Sequence, residues 1–317
     1  DGDDVVFRLN EPYPRFEMLL SMSHCAIVRE SGKGLLGTGA FALEEGAGER
    51  TLELGGELRL VRNDHYDGLV WLDEIVFTLY PTDEDGRPTK LLEAMDRGEV
   101  DLTTNLTSSD AHKLDLTKFH PSLQPGSSTG LLFLNIERLK DVRQRRAIAH
   151  LLDRTRVAER SFDRNPIAYV ARNVLPPLMS RDSEMYTFDR RKAQELFEEA
   201  GKPSRVKMLI PWAPRPYAPN PHPMAAEITS QLKEVGIETD VVAAKSGEDF
   251  FTRAGRADFD MAMAGWIADS PDPYDFLVAL FHSSSIPKGT TAVSAINLSQ
   301  YRDKEMDAAL ANYRVDP

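Results

Sequence analysis

Two oppositely charged side chains stand beside aromatic rings in the second half of the chain. Arg215 lies in Trp212-Ala213-Pro214-Arg215-Pro216-Tyr217-Ala218-Pro219-Asn220, and Asp269 closes Trp266-Ile267-Ala268-Asp269. The planar fork of an arginine can donate two parallel hydrogen bonds to a carboxylate, and an aspartate suits an ammonium. An aromatic plate and a carboxylate displayed where a strand ends are a common way to build a small-molecule pocket. A plainer reading stands beside this one. Trp266 would then be a core residue, Asp269 a turn or helix-capping residue, and Arg215 a solvated loop arginine. Catalysis has less support. No strand–turn–helix among the expected elements carries a serine nucleophile elbow or a glycine-rich phosphate loop. Its seven histidines, His24, His65, His112, His120, His150, His222 and His282, show no metal-ligand spacing. Glu198-Glu199 reads as a solvated helix face. An enzyme is not expected, nor a metal or a cofactor.

The elements that must position these groups follow from apolar spacing. Alternation predicts a strand over 258–264, with Phe259, Met261 and Met263 on one face and Asp260, Ala262 and Ala264 on the other. Gly265 then relieves crowding, and Trp266 and Asp269 follow on the exit loop. Asp272 reads as an N-cap and Pro273 as the first residue of a helix running to Phe281. The stretch 211–223 is proline-rich and is predicted to be a stiff, non-helical loop following a strand over 205–210. A preordered loop of that kind loses little entropy on binding, so Trp212, Arg215 and Tyr217 fit a pocket wall.

Elsewhere, helices are predicted over 15–22, 89–97, 141–152, 154–162, 190–200, 224–235, 248–254 and 304–313. Strands are predicted over 5–9, 57–62, 74–80, 100–104, 131–136 and 238–242, with a loop over 30–39. Strands alternating with helices argue an α/β or α+β lobe. The pattern changes near Gly130, which suggests a β-rich first part over 1–130 and an α/β second part over 131–317 that carries the charged loops.

The chain has 317 residues, a length suited to two domains, with 41% apolar and 28% charged residues. A net charge of −12 disfavours nucleic-acid partners. The single cysteine, Cys25, allows no internal disulfide and reads as a small hydrophobe. There is no apolar run of the about 20 residues needed to span a bilayer. The acidic start Asp1-Gly2-Asp3-Asp4 does not read as a signal peptide.

Several blocks resemble, in order, the extracellular solute-binding proteins of family 5, the peptide and nickel receptors of ABC importers. Gly37-Thr38-Gly39-Ala40-Phe41 is similar to a GTGPY turn. Arg62-Asn63-Asp64-His65-Tyr66 with Leu72-Asp73-Glu74-Ile75-Val76-Phe77 resembles RNPDYW…LDxIVF. The run LLEAMDRGEVDL over 91–102 resembles LxALxxGEVDI, and 141–148 with Asp153-Arg154 resembles DVRVRQAI…DR. Trp266 to Leu277 follows WxxDxxDPxxFL, and Arg215 to Asn220 with Met224-Ala225 follows the RPYNPN…MA loop of the dipeptide-binding branch.

The resemblance implies an α/β fold of the bilobal periplasmic-binding-protein type (type II, cluster C). It implies a monomer in the periplasm or outside the cell, associated with the membrane through an ABC permease. Its ligand would be a short peptide, captured by hinge closure. Carried over position by position, Arg215 would hold the ligand carboxylate and Asp269 its ammonium, with Trp212, Tyr217 and Trp266 as pocket walls. Fixed charges at both ends would act as a length ruler favouring dipeptides. Met263 stands where oligopeptide-type members carry a basic residue, which points the same way. Ala218 and Ser270 depart from the pattern and leave the pocket shape open. The chain starts late and stops early in the family pattern, so one lobe is expected to be incomplete. A sensing domain of a larger regulatory protein is therefore an alternative, as is a receptor for a nickel chelate, haem or glutathione.

Overall fold

The computed structural model describes residues 5–10, 12–31, 34–44, 54–83, 87–104, 106, 110, 114–122, 126–162, 170–177, 179–180, 186–288 and 296–315. The chain divides into two compact units: Leu19–Pro121, and a larger one made of Asp1–Met18 with Ser122–Pro317. Helix α1 (Phe16–Leu20) spans the first junction.

The smaller unit is built from local pairings. Strands β1 (Arg29–Ser31) and β2 (Gly34–Leu36) form an antiparallel pair where a loop is expected from the glycines. Strands β3 (Phe41–Leu43), β4 (Glu57–Arg62) and β5 (Glu74–Thr78) make an antiparallel meander in the order β3-β4-β5. Helix α2 (Thr89–Asp96) buries Leu91, Ala94 and Met95, the i, i+3, i+4 stripe of an amphipathic helix. It ends at Gly98, whose φ of 75° carries no penalty in the absence of a Cβ. The strands predicted over 5–9 and 100–104 are not formed. Among the described residues the three sheets take their strands from elsewhere in the chain, and an apolar run alone does not make a strand.

The larger unit holds the main core. Its elements are β6 (Ser128–Leu134), α3 (Val142–Leu151), α4 (Arg154–Ser161), α5 (Arg190–Ala200), β7 (Arg205–Ile210), α6 (Pro221–Glu234), β8 (Glu238–Ala243), α7 (Gly247–Gly255), β9 (Met261–Ile267), α8 (Pro273–Phe281) and α9 (Lys304–Val315). The sheet order is β6-β9-β7-β8, with β7 parallel to both neighbours and β6 antiparallel to β9. The β7–α6–β8 segment is a βαβ unit. Period-two alternation sends Val206, Met208, Ile210, Met261 and Met263 into a cluster with residues of α3 to α6. It sends Leu209, Ala262 and Ala264 into a second cluster with Phe250 of α7 and Phe276 of α8. The sheet is therefore covered on both faces, which accounts for the near-continuous apolar runs of β7 and β9.

Two details of β9 correct the alternation reading. Phe259 packs with Ala262 and Ala264, not with the methionines, because it precedes the strand and is not bound by its pleat. Trp266 lies within the strand, not on the exit loop. Pairing with β6 continues through Gly130↔Gly265, Thr129↔Trp266 and Ser128↔Ile267. The helices differ only at their ends. Helix α6 starts at Pro221, earlier than predicted, since prolines in a first turn give up no intrahelical hydrogen bond.

Polar residues fix the sheet's corners. Asn135 is fully buried; its amide donates to the Phe259 carbonyl at 3.0 Å and its Oδ1 accepts from Glu137 N–H at 3.0 Å. Asn135→Ala should cost about 1–3 kcal/mol in urea unfolding, because it leaves buried backbone groups without partners. At the start of α3, the Arg143 guanidinium and N–H both donate to Asp141 and hold its carboxyl down to about 2. A depressed carboxyl contributes stability that is present above its unfolded value and lost as pH falls through the folded one. The stability difference between wild type and Asp141→Asn should therefore shrink as pH falls from about 4 to 2.

Candidate functional site

The loop after β7 is pinned by one ring. Arg215 and Ala218 exchange backbone hydrogen bonds at 3.0 and 2.9 Å, closing a tight turn around Pro216-Tyr217. That turn presses Tyr217 against Gly130 and Gly265, which face each other across β6 and β9. A Cβ on Gly265 would lie 2.5 Å from the Thr129 carbonyl oxygen and 2.7 Å from Tyr217 Cδ1; one on Gly130 would lie 2.5 Å from the Tyr217 carbonyl oxygen. The notch exists only because both residues lack a side chain. Burial there pushes the Tyr217 phenol pKa up.

Trp212 occupies a second glycine gap. A Cβ on Gly247, the first residue of α7, would meet its indole at 3.1 Å, and its ring lies 6.2 Å from that of Phe250. The Arg215 guanidinium sits over the Trp212 ring, 3.7 Å from its centroid. A cation–π contact holds the head in place without neutralising it. Among the described residues no carboxylate pairs with Arg215.

The Trp266–Asp269 segment is held from the other side by a residue the sequence reading did not single out. Asp275, in the first turn of α8, accepts from the Trp266 indole N–H at 3.0 Å and from the Asp269 backbone N–H at 2.9 Å, both on Oδ2. Burial pushes the Asp275 carboxyl pKa up; the two hydrogen bonds oppose the shift, and the charges of Asp269 and Asp272 add to it. The available signal was Asp272-x-x-Asp275 at a helix start, which reads as a capping box.

Asp272 does cap α8, accepting from Tyr274 N–H at 3.0 Å, and is only 2% exposed. Its Oδ1 also meets Arg15 at 3.3 Å and the Tyr313 hydroxyl at 3.1 Å. The Arg15 guanidinium lies 4.9 Å from the centroid of the Tyr313 ring, which stacks on Tyr274. Of the three aspartates in this segment, Asp272 alone meets a cation among the described residues. Asp269 is exposed, and among the described residues it has no cationic partner and forms no ion pair with Arg215.

The structure thus brings Trp212, Arg215 and Tyr217 together, and seats Tyr217 against the residue that precedes Trp266. Asp269 is tied to Trp266 through Asp275. A concavity of about 420 Å³ lies elsewhere, in the smaller unit, lined by Thr78, Tyr80, Lys90, Glu93 and Arg97 among others, and contains none of these groups. Among the described residues no cluster of His, Cys, Asp and Glu could hold a metal ion, and no helix is long and apolar enough to cross a membrane.

The sequence pattern of the bacterial extracellular solute-binding proteins, family 5 (middle), matches residues 1–288. The chain belongs to this family. It is a family of binding proteins, not of enzymes, and its members are extracellular or periplasmic. The chain is 27% identical over 314 residues to the dipeptide-binding protein of Escherichia coli, covering 92% of this chain and 56% of that protein. It is 26% identical over 286 residues to Heme-binding protein A of Haemophilus influenzae, covering 87% and 48%. A periplasmic binding protein DppA from Helicobacter pylori, solved with the peptide STSA, superimposes with a TM-score of 0.67 at 22% identity, covering 98% of this chain and 60% of that one. The fold is therefore the α/β periplasmic-binding-protein type, cluster C, and the chain spans between 48% and 60% of the length of these relatives.

Gly265→Ala should cost about 1–3 kcal/mol of stability, since backbone and ring must both shift to admit the methyl group. Thermal unfolding, with near-ultraviolet circular dichroism to follow the Trp212 and Tyr217 environments, measures the loss.

Proposed function

We propose that this chain is part of the substrate-binding component of an ABC importer that captures short peptides, dipeptides foremost. Arg215 would pair with the ligand's carboxylate and Asp269 with its ammonium. One observation carries the reading. Two opposite charges are held in place, on Trp212 and through the Asp275-bonded backbone, yet among the described residues neither has a counter-ion. A charge left open in this way is available to a ligand that brings the matching one, whereas a paired one must first be unpaired. The names of the E. coli and H. pylori relatives support the peptide class. Trp266 and Tyr217 supply aromatic surface beside the charges, and Trp212 supports Arg215. Capture by hinge closure, and delivery by a monomer to a membrane permease, complete the proposal.

Calorimetry with dipeptides, C-amidated dipeptides and tripeptides tests it. Asp269→Ala should weaken dipeptide binding by about 2–5 kcal/mol, the range for removing one partner of a desolvated charge pair. C-amidation should weaken it comparably through Arg215. Unchanged affinity in Asp269→Ala, or indifference to amidation, would rule out the two-ended clamp. The likeness to Heme-binding protein A favours haem as a second reading. A haem titration followed at the Soret band distinguishes the two, because a haem receptor would saturate there and show no response to dipeptides.

A further inference from the structure

We propose that Asp275 is the positioning residue of this site, holding the Trp266 ring and the Asp269-bearing loop in a single frame through one oxygen atom. Its Oδ2 accepts from the indole of Trp266 and from the backbone N–H of Asp269. The donors come from a strand end and the connection after it; the acceptor comes from a helix. Without the carboxylate, no hydrogen bond among the described residues would fix the Trp266 indole or join the Asp269 N–H to α8.

The carboxylate is not needed where a capping box would use it. In such a box the third helical residue reaches back to the N–H of the cap residue. Here the Asp272 N–H is taken by the Ser270 hydroxyl at 3.2 Å, and the helix is capped by Asp272 itself. Asp275 is instead aimed outward, at the two groups that precede the helix. It does so half-buried and, among the described residues, with no cation beside it. That placement is costly for a carboxylate and is offset by the two donors. The consequence for ligand affinity rests on the peptide reading above; the effect on ring and loop does not.

The test compares Asp275→Ala with Asp275→Asn, because an asparagine oxygen can still accept from two donors. The chain has three tryptophans, so nitrogen-15 spectra contain three indole N–H peaks, and Trp266→Phe identifies the relevant one. In Asp275→Ala the Trp266 indole peak should move upfield, and hydrogen exchange at the Asp269 amide should quicken about tenfold or more. In Asp275→Asn both should stay near wild type. Dipeptide affinity should fall about tenfold or more in the alanine variant and stay within about threefold in the asparagine variant. If Asp275→Ala does not fold, Asp275→Ser, whose short hydroxyl reaches neither donor, takes its place. An unmoved indole peak and unchanged amide exchange in the alanine variant would overturn the proposal. So would an asparagine variant as impaired as the alanine one. Absence of any dipeptide binding by wild type would remove the peptide reading, while the indole and amide comparison would still decide the role of Asp275.

Discussion

The candidate site depends on the contact of Tyr217 with two glycines. Gly130 and Gly265 stand opposite each other across β6 and β9, and their missing side chains open the space in which the turn at 215–218 meets the sheet. Glycine weakens a strand, because it loses more backbone entropy than any other residue and packs nothing. Two of them in register are retained here where another piece of backbone approaches closely. Prolines on either side stiffen the loop, so a single anchored ring sets the position of Trp212 and Arg215 as well.

Charge is handled in two ways in the larger unit. Asp272 is paired with Arg15, Asp260 with Arg138, and Glu227 with Arg156. Buried carboxylates need such partners, because an unpaired buried charge is strongly destabilising. Among the described residues Arg215 and Asp269 have no counter-ion; each keeps contact with solvent, and aromatic and backbone contacts hold them. Asp272 and Asp275 illustrate the distinction within one helical turn. The first is neutralised and serves the fold; the second has no cationic partner among the described residues and bonds to the residues that face a ligand in the proposed reading.

Membership in a solute-binding family gives these open charges a chemical context without deciding the ligand. Relatives that share about a quarter of their residues with this chain carry names for different ligands, dipeptide and haem among them. A common fold positions the loops, and a handful of side chains on them selects the cargo. In the proposed reading the specificity question falls on Trp212, Arg215, Tyr217, Trp266, Asp269 and the Asp275 behind them.

The amino-acid sequence by itself determined most elements of the larger unit from Ser122 onward. Apolar period and capping residues are local signals, and they placed β7, α5 and the Asp272 cap of α8 where the structure has them. Motifs that survive in order were enough to reveal the family. The failures share one cause. The expected strands over 5–9 and 100–104, the side taken by Phe259 and the extent of β9 all depend on whether a second segment arrives to pair. Only the tertiary structure decided which residues meet: Tyr217 with Gly265, Arg215 with Trp212, and Asp275 with both Trp266 and Asp269. These contacts are set by three-dimensional packing, where a missing Cβ or a helix turned toward a strand end matters more than any local propensity.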